Sequence, residues 1–441
     1  RDSYSSAVIE LLQAGDIEGT IVDDPYLIGY EAMMLAYAAA HPTEIPSANP
    51  PFGHVPPIIY GGSSLLTGVK SIVNVLRFSA GESGLTKRDI ADRTALSFAT
   101  VSNLCNELLE RGIVEIVKKN SMSVGRTPST VNLAYNRFCT VCLNLQMKGV
   151  LGIAVLNIRN EIVFHQKYDI SGLDAPEEVI DYARKRFDEI ARENSNHVYI
   201  GVGVAVSGIF DLATQTLVNC AVKMYEGVPL KAIVEKAFQL PGYVDNEANL
   251  CALSLKHTIA ECRNLVYLHI SEGVGVGIIC EGSLLRGHHG YGGEVAHTPL
   301  GNPRKYCSEC GAYGCIENEL AIPDIVAEYW GEEQEDVLGA WNQLVADAKK
   351  EDEKAVHLIH ETAGYLGRLI SVLITMMDPE YIYIGGEITD IYEELFANMN
   401  QIVQERCFLY GNRRVKLVKD GHSELTIHSG INESIYAQWK P

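Results

Sequence analysis

The chain has 441 residues, more than one hydrophobic core accommodates, so two to four domains are expected. Apolar residues make up 47% and charged residues 21%, as in an ordinary globular chain, and no apolar run approaches the ~20 residues of a membrane span. A net charge of −20 works against nucleic-acid binding by the chain as a whole, while eleven cysteines without regular spacing argue against a disulfide framework and for a reducing cytoplasm.

The first residues carry no secretory leader pattern. Residues 1–60 read as a helix, a short strand at Gly19–Val22, an acidic loop and a helix from Pro25 to Ala40, then a Pro/Asn-rich stretch and an apolar run at Ile58–Tyr60. The segment AGDIEGTIVDDPYLIGYEA resembles the last α/β units of a sugar-binding domain of the periplasmic-binding-protein or LacI type. A whole domain of that type needs several times this length, so a helical N-terminal extension is the alternative. No site is assigned to this segment.

Residues 63–133 form a second unit with a different charge balance: from 63 to 130, nine Lys/Arg stand against six Asp/Glu. Thr67–Ser79 is an amphipathic helix with Ile72, Val73 and Leu76 on one face. Thr86 caps a short helix over Lys87–Arg93, Ser97 caps another over Phe98–Arg111, and Gly112 stops it. Apolar residues at Leu85, Ile90, Ala91, Val101 and Leu108 fit a helix-turn-helix core. The following VEIVKKNSMSVGRTPSTVNL reads as two strands around a basic turn, a wing. DNA contact is expected from Lys87, Ser97, Thr100, Ser102, Asn103, Lys118, Lys119 and Arg126. A three-helix interaction module that touches no DNA is the bland alternative.

Residues 137–246 open on three alternating strands and continue with a helix over Pro176–Asn194, a strand at Val198–Val206, a helix over Pro229–Phe238 and a strand ending at Asn246. Residues 247–424 begin with a helix near Ala248 and a Gly-rich hairpin over 265–290. They become mostly helical up to Met377 and add a buried strand at YIYIGG and another near Val415–Leu417. The two halves repeat a pattern of strands and helices around a hinge near Asn246, which implies two α/β lobes with a cleft between them.

The second half carries the densest chemistry. His297, Cys307, Cys310 and Cys315 offer one imidazole and three thiols, a ligand set that suits tetrahedral zinc. Cys307 and Cys310 have the spacing of a tight turn, and Gly311 and Gly314 supply its backbone freedom. The four ligands leave no open position, so the zinc over 297–315 would be structural. A loop of unpaired thiols is the alternative, and three cysteines within nine residues are hard to explain by packing alone. Glu294 and Glu317 lie on the same loop.

GGEVAH followed by CSECGAYGCIE, with Asn246-Glu247 and the Gly-rich hairpin, resembles the ROK family of repressors, open reading frames and sugar kinases over residues 139–435. The resemblance implies a winged helix-turn-helix followed by a two-lobed actin-like fold of the sugar kinase/Hsp70 type, its first lobe completed by 425–441, and the winged helix points to the repressor branch. It assigns the zinc to His297, Cys307, Cys310 and Cys315, although the family spacing has one residue fewer between the first two cysteines. It places Asn246, Glu247, Glu294, His297 and Glu317 around a sugar.

The same resemblance marks departures from kinase chemistry. Family kinases carry Asp as the base where this chain has Glu247, one methylene longer, and catalytic geometry tolerates such shifts poorly. The first phosphate loop, Asp-x-Gly-Gly-Thr in the family, is replaced by Asn144-Leu145-Gln146-Met147-Lys148. Gly273, Gly275, Gly277 and Gly385-Gly386 are kept. No catalytic residue is therefore assigned, ATP is not expected as a cofactor, and the lobes are read as a sensor. The expectation is a cytoplasmic repressor of operator DNA, a homodimer or dimer of dimers, that responds to a neutral sugar, pentose or hexose, with a lean toward a pentose because the Glu resembles xylose-type repressors of the family. Two alternatives remain: an active sugar kinase with an accessory DNA-binding head, and a regulator controlled by a partner protein.

Overall fold

The computed structural model describes residues 63–79, 84–118, 129–259, 262–408, 411, 415–421 and 423–441. The sugar-binding-protein resemblance at 1–60, and Lys119 and Arg126, lie outside the described residues. The chain divides into two compact units, one running to Ala134 with Lys440 and Pro441, the other Tyr135–Trp439.

The first unit is a winged helix-turn-helix. Its helices are α1 (Ser63–Phe78), α2 (Lys87–Thr94) and α3 (Phe98–Glu110), and its wing pairs β1 (Val114–Lys118) with β2 (Ser129–Leu133) in antiparallel register. A capping box opens α2: Asp89 N–H donates to the Thr86 hydroxyl, and the Asp89 carboxylate takes the Thr86 N–H. Ala95 turns the chain between α2 and α3 at φ 55°. Ser97 caps α3 by accepting from Thr100 N–H. Ile72, Ile90, Val101 and Leu108 are fully buried together with the wing residues Val131 and Leu133, so the helical stripes and the wing share one core.

The second unit holds two five-stranded sheets of the same topology. In the first, β3 (Phe138–Asn144), β4 (Val150–Asn157) and β5 (Ile162–Asp169) form an antiparallel meander. After α4 (Pro176–Glu193) comes β6 (Val198–Val206). A small hairpin of β7 (Ile209–Asp211) and β8 (Thr216–Val218), α5 (Leu230–Phe238) and β9 (Gly242–Asn246) follow. Strands β6 and β9 extend the sheet in parallel, giving the order β5-β4-β3-β6-β9.

Helix α6 (Glu247–Thr258) leads into the second sheet, where β10 (Leu265–Ile270), β11 (Val274–Cys280) and β12 (Ser283–Leu284) are antiparallel. Four helices follow: α7 (Glu317–Leu320), α8 (Ile322–Trp330), α9 (Val337–Ala348) and α10 (Glu353–Met377). Then β13 (Tyr381–Gly385), α11 (Tyr392–Arg406) and β14 (Lys416–Lys419) complete the order β12-β11-β10-β13-β14. This duplication is the actin-like architecture. β3 and β10 are buried along almost their whole length, as expected of strands covered on both faces.

The last helix, α12 (Ser423–Gln438), packs on the first sheet rather than the second, which it follows in sequence. Its approach is close: a Cβ on Gly203 of β6 would sit 2.2 Å from Ile431 Cγ2. Each sheet has its own core, one built on Val141, Val155, Val202 and Phe187, the other on Leu268, Ile382, Trp341 and Ile370. All eleven cysteines are free thiols, and no helix among the described residues is long and apolar enough to cross a membrane.

Candidate functional site

A cleft of about 980 Å³ opens between the two sheets of the second unit, and Asn246, Glu247, Glu294, His297 and Glu317 all line it. Three features of the chain bring them there. β9 ends at Asn246, whose side chain caps α6 by accepting from Asn249 N–H at 2.8 Å. The helix therefore starts at Glu247 and brings that carboxylate to the cleft lining. The loop after β12 carries Glu294 and His297, and Glu317 opens α7.

The Glu247 carboxylate is half satisfied. Its Oε1 accepts from the Ser207 hydroxyl at 3.4 Å, while its Oε2 is buried with no hydrogen-bond partner. Glu317 Oε1 accepts from Val274 N–H at 3.3 Å, and its Oε2 lies 3.7 Å from His297 Nδ1. Burial raises the Glu317 carboxyl above its ordinary range, with the His297 charge opposing. Glu294 remains exposed by surface area in the open cleft, with the other cleft residues close around it. Burial, and then the charges of Glu247 and Glu317, push its carboxyl up to about 7. Three carboxylates are thus close enough for Glu294 to feel the charges of the other two, and at neutral pH Glu294 can donate a proton to a hydrogen bond as well as accept one.

Beside this wall the four predicted sulfur and nitrogen ligands converge. His297 Nδ1 and the thiols of Cys307, Cys310 and Cys315 lie within 4.8 Å of one another. His297 Nδ1 is 3.7 Å from Cys307 Sγ, and Cys310 Sγ is 3.4 Å from Cys315 Sγ. Tetrahedral zinc with bonds of roughly 2.0–2.3 Å needs ligand separations of about 3.4–3.8 Å, so the set fits. Gly311 and Gly314 adopt φ of 73° and 83°, the left-handed turns the knuckle requires. Ile316 N–H to Thr298 O and Glu317 N–H to Ala296 O, both at 3.0 Å, tie the knuckle to the residues around His297. The extra residue between Cys307 and Cys310 is absorbed without displacing either thiol from the cluster.

Ser207, His269 and Glu272 also line the cleft and were not singled out in the sequence. His269 is buried with Nδ1 unpartnered, and Glu272 is raised by burial and by the charges of Glu387 and Glu247. Nothing in the local sequence marks them, because each becomes a cleft residue only when the two sheets face each other.

The glycines of the second hairpin have a packing cause. A Cβ on Gly277 would lie 2.1 Å from Ala248 O, and one on Gly275 would lie 3.1 Å from Ala248 Cβ. β11 lies against α6, and only glycine permits that approach. Gly386, at φ 89°, would place a Cβ 2.1 Å from Ile270 O. At the first turn, Asn144 Oδ1 accepts from Gln146 N–H at 3.1 Å, so this side chain closes the loop on itself. The cleft's lysines are engaged: Lys167 Nζ lies 3.1 Å from Glu424, and Lys223 Nζ lies 3.4 Å from Glu226 and 3.9 Å from Glu309.

In the first unit, Ser97, Thr100 and Asn103 are exposed along the start of α3. Ser102 is half-buried, and Lys87 Nζ reaches across to it (3.1 Å to its hydroxyl) and to Asn106 Oδ1 (3.0 Å). Lys87 thus braces α2 against α3. Phe98, which no local sequence signal marks, is 57% exposed at the same helix start. Lys118 lies at the end of β1.

The ROK family profile matches residues 150–427, well over half the chain. The chain belongs to the ROK family. An IclR helix-turn-helix profile matches residues 74–117, which span α2, α3 and most of β1. The xylose repressor of Caldicellulosiruptor bescii is 27% identical over 381 residues, covering 81% of this ROK chain and 94% of that protein. The Bacillus subtilis xylose repressor is 23% identical, covering 74% and 84%. Among solved structures, a ROK family transcriptional regulator described as a homologue of the E. coli MLC protein superposes with a TM-score of 0.71 at 22% identity, covering 84% of this chain and 97% of that one. A ROK glucokinase from Streptomyces griseus, solved with glucose and AMPPNP, superposes with a TM-score of 0.56 at 20% identity, over 68% of this chain and 100% of that one.

Proposed function

We propose that this protein is a sugar-responsive repressor in which the winged helix binds operator DNA and the cleft between the two sheets binds a neutral sugar. The observation that carries the sugar reading is Glu247 Oε2, a buried carboxylate oxygen without a partner in the wall of a polar cleft. Such an atom costs free energy until a donor reaches it, and a sugar hydroxyl is a donor of the right size. Asn246, Glu294, His297 and Glu317 would take further hydroxyls. The xylose repressors among the relatives favour a pentose, xylose first.

A structural zinc held by His297, Cys307, Cys310 and Cys315 would fix the loop that presents His297 and Glu317. The ion closes a ligand set of four, and the chain's own residues do the recognising. In the head, Ser97, Thr100, Ser102 and Asn103 would enter the groove, with Lys118, Lys119 and Arg126 on the phosphates and Lys87 bracing the helix pair. Two heads on one dimer, or on a dimer of dimers, would read two half-sites. Sugar would act by its different affinity for two arrangements of the lobes, since a ligand shifts an equilibrium only by that difference.

Phosphoryl transfer has little support in the cleft. The base position holds the longer Glu247, the first phosphate turn is closed by Asn144, and both lysines are already paired with carboxylates. A triphosphate would meet Glu272, Glu387 and Glu424 with no free counter-charge among these residues.

Isothermal titration calorimetry with xylose and other neutral sugars tests the pocket. The account expects one saturable site for one sugar, abolished in Glu247→Ala while specific DNA binding is retained. Normal sugar binding by Glu247→Ala contradicts the pocket assignment.

A further inference from the structure

A second side-chain cluster able to hold a metal lies on the first sheet, apart from the cysteine knuckle. It consists of His165, Glu424 and His428, whose ligand atoms all lie within 4.8 Å of one another. The fold assembles it from two periodicities. His165 and Lys167 are two apart on the edge strand β5 and share a face. Glu424 and His428 are four apart on α12, so they occupy one stripe of the helix. α12 packs against this sheet, and the stripe meets the strand.

His165 Nε2 is 3.4 Å from Glu424 Oε1. That is already the separation of two ligands on one tetrahedral ion with bonds of about 2.0–2.1 Å. The His165 and His428 rings meet edge to face at 5.2 Å.

His428 supplies an independent sign. It is completely buried, at 0% exposure, and neither Nδ1 nor Nε2 has a hydrogen-bond partner. A buried imidazole normally has at least one nitrogen satisfied, because leaving both bare forfeits their hydration without return. A metal ion bonded to one nitrogen removes that cost.

We propose that His165, Glu424 and His428 form a binding site for a borderline divalent transition-metal ion of the zinc type. Two imidazoles and one carboxylate suit such an ion, and three protein ligands leave a coordination position open. Glu424 and Lys167 line the same cleft as Glu247, so the ion has an access route from solvent. Lys167 Nζ, 3.1 Å from Glu424 Oε1, occupies the carboxylate that the metal would take. The lysine and the ion therefore compete for Glu424.

The test is zinc uptake by the full-length protein, stripped with chelator and then titrated, with bound metal counted by elemental analysis and affinity read by calorimetry. The wild type should take one zinc equivalent more than His165→Ala. His165 lies half-exposed on an edge strand, so its loss leaves the core intact. The readout is the difference between the two proteins, so it does not depend on whether the cysteine knuckle also fills. Lys167→Ala should bind the extra equivalent several-fold more tightly. Equal uptake by wild type and His165→Ala would overturn the proposal. Weaker binding by Lys167→Ala would overturn it as well, by removing Glu424 from the ligand set.

Discussion

Arg286, on the loop that follows the second sheet's edge strand, is ion-paired to Asp245 on β9 of the first sheet, two residues before Glu247. Arg286 Nη1 donates to Asp245 Oδ1 at 3.3 Å, and Nη2 donates both to Oδ2 and, at 2.6 Å, to the Tyr243 hydroxyl. Tyr243 in turn donates to Asp245 Oδ2 at 2.7 Å, and Asn249 Nδ2 donates to Oδ1 at 2.9 Å. Asp245 is 1% exposed. The network fixes the strand end that presents Asn246 and Glu247, and it ties the two lobes at the hinge.

Arg286→Ala leaves the Asp245 charge buried with only neutral donors. Breaking a buried pair from one side costs on the order of 3–5 kcal/mol. Urea unfolding should show a loss of that size, and sugar affinity should fall with it because Glu247 loses its support. A variant with wild-type stability would show that water already reaches Asp245.

Glu294 makes the body's stability depend on pH. Its carboxyl is raised to about 7 from an ordinary value of 4.5, so the folded state favours the protonated form. The stabilisation is full below pH 4.5 and is lost as pH rises through about 7. Glu294→Gln keeps the neutral form at every pH. Thermal melts of both proteins from pH 5 to 8 should show Glu294→Gln gaining on the wild type as pH rises. A constant difference would place Glu294 in an ordinary solvated environment.

Cys310 is the exposed member of the knuckle, so its loss disturbs packing least. Cys310→Ser should lower zinc retention and weaken sugar binding, because the same loop carries His297 and Glu317. Cobalt substitution gives the readout: thiolate-to-cobalt charge-transfer absorption in the wild type, reduced in the variant. Full sugar affinity in a zinc-free protein would separate the knuckle from the pocket.

In the head, Asn103 is exposed on the helix assigned to the groove. Asn103→Ala should weaken operator binding by about 1–3 kcal/mol and leave sugar binding unchanged. Operator affinity equal to wild type would move the reading face off α3.

Much of this was legible in the sequence because the signals were local. Thr86 and Ser97 mark helix starts by side-chain chemistry that acts within three residues, and both cap as expected. The knuckle is spelled out by Cys307, Cys310 and Cys315 with Gly311 and Gly314 between them. Other features depend on distant pairs. The Arg286–Asp245 network joins residues 41 apart, and Ser207 meets Glu247 across 40. The hairpin of β7 and β8 leaves no signal in the sequence, because strands of three residues show too little alternation. The closing segment LTIHSGINESIYAQW has a weak helical stripe because α12 is buried on several sides, against β6 and α6 together. The glycines of β11 suit a phosphate turn or close packing alike, and their approach to Ala248 supplies the packing cause.

One protein couples sugar to DNA. Fluorescence anisotropy of the full-length protein on DNA from its own upstream region, at fixed salt and with a panel of neutral sugars, tests it most directly; salt is held constant because phosphate contacts make affinity salt-dependent. The account predicts specific binding released by one sugar, xylose first, with Glu247→Ala bound to DNA and deaf to that sugar. It also predicts no ADP release with the same sugars. Specific binding indifferent to every sugar would contradict it in favour of a partner-controlled regulator, and absence of specific binding with kinase turnover of roughly 1–100 s⁻¹ would contradict it in favour of an enzyme.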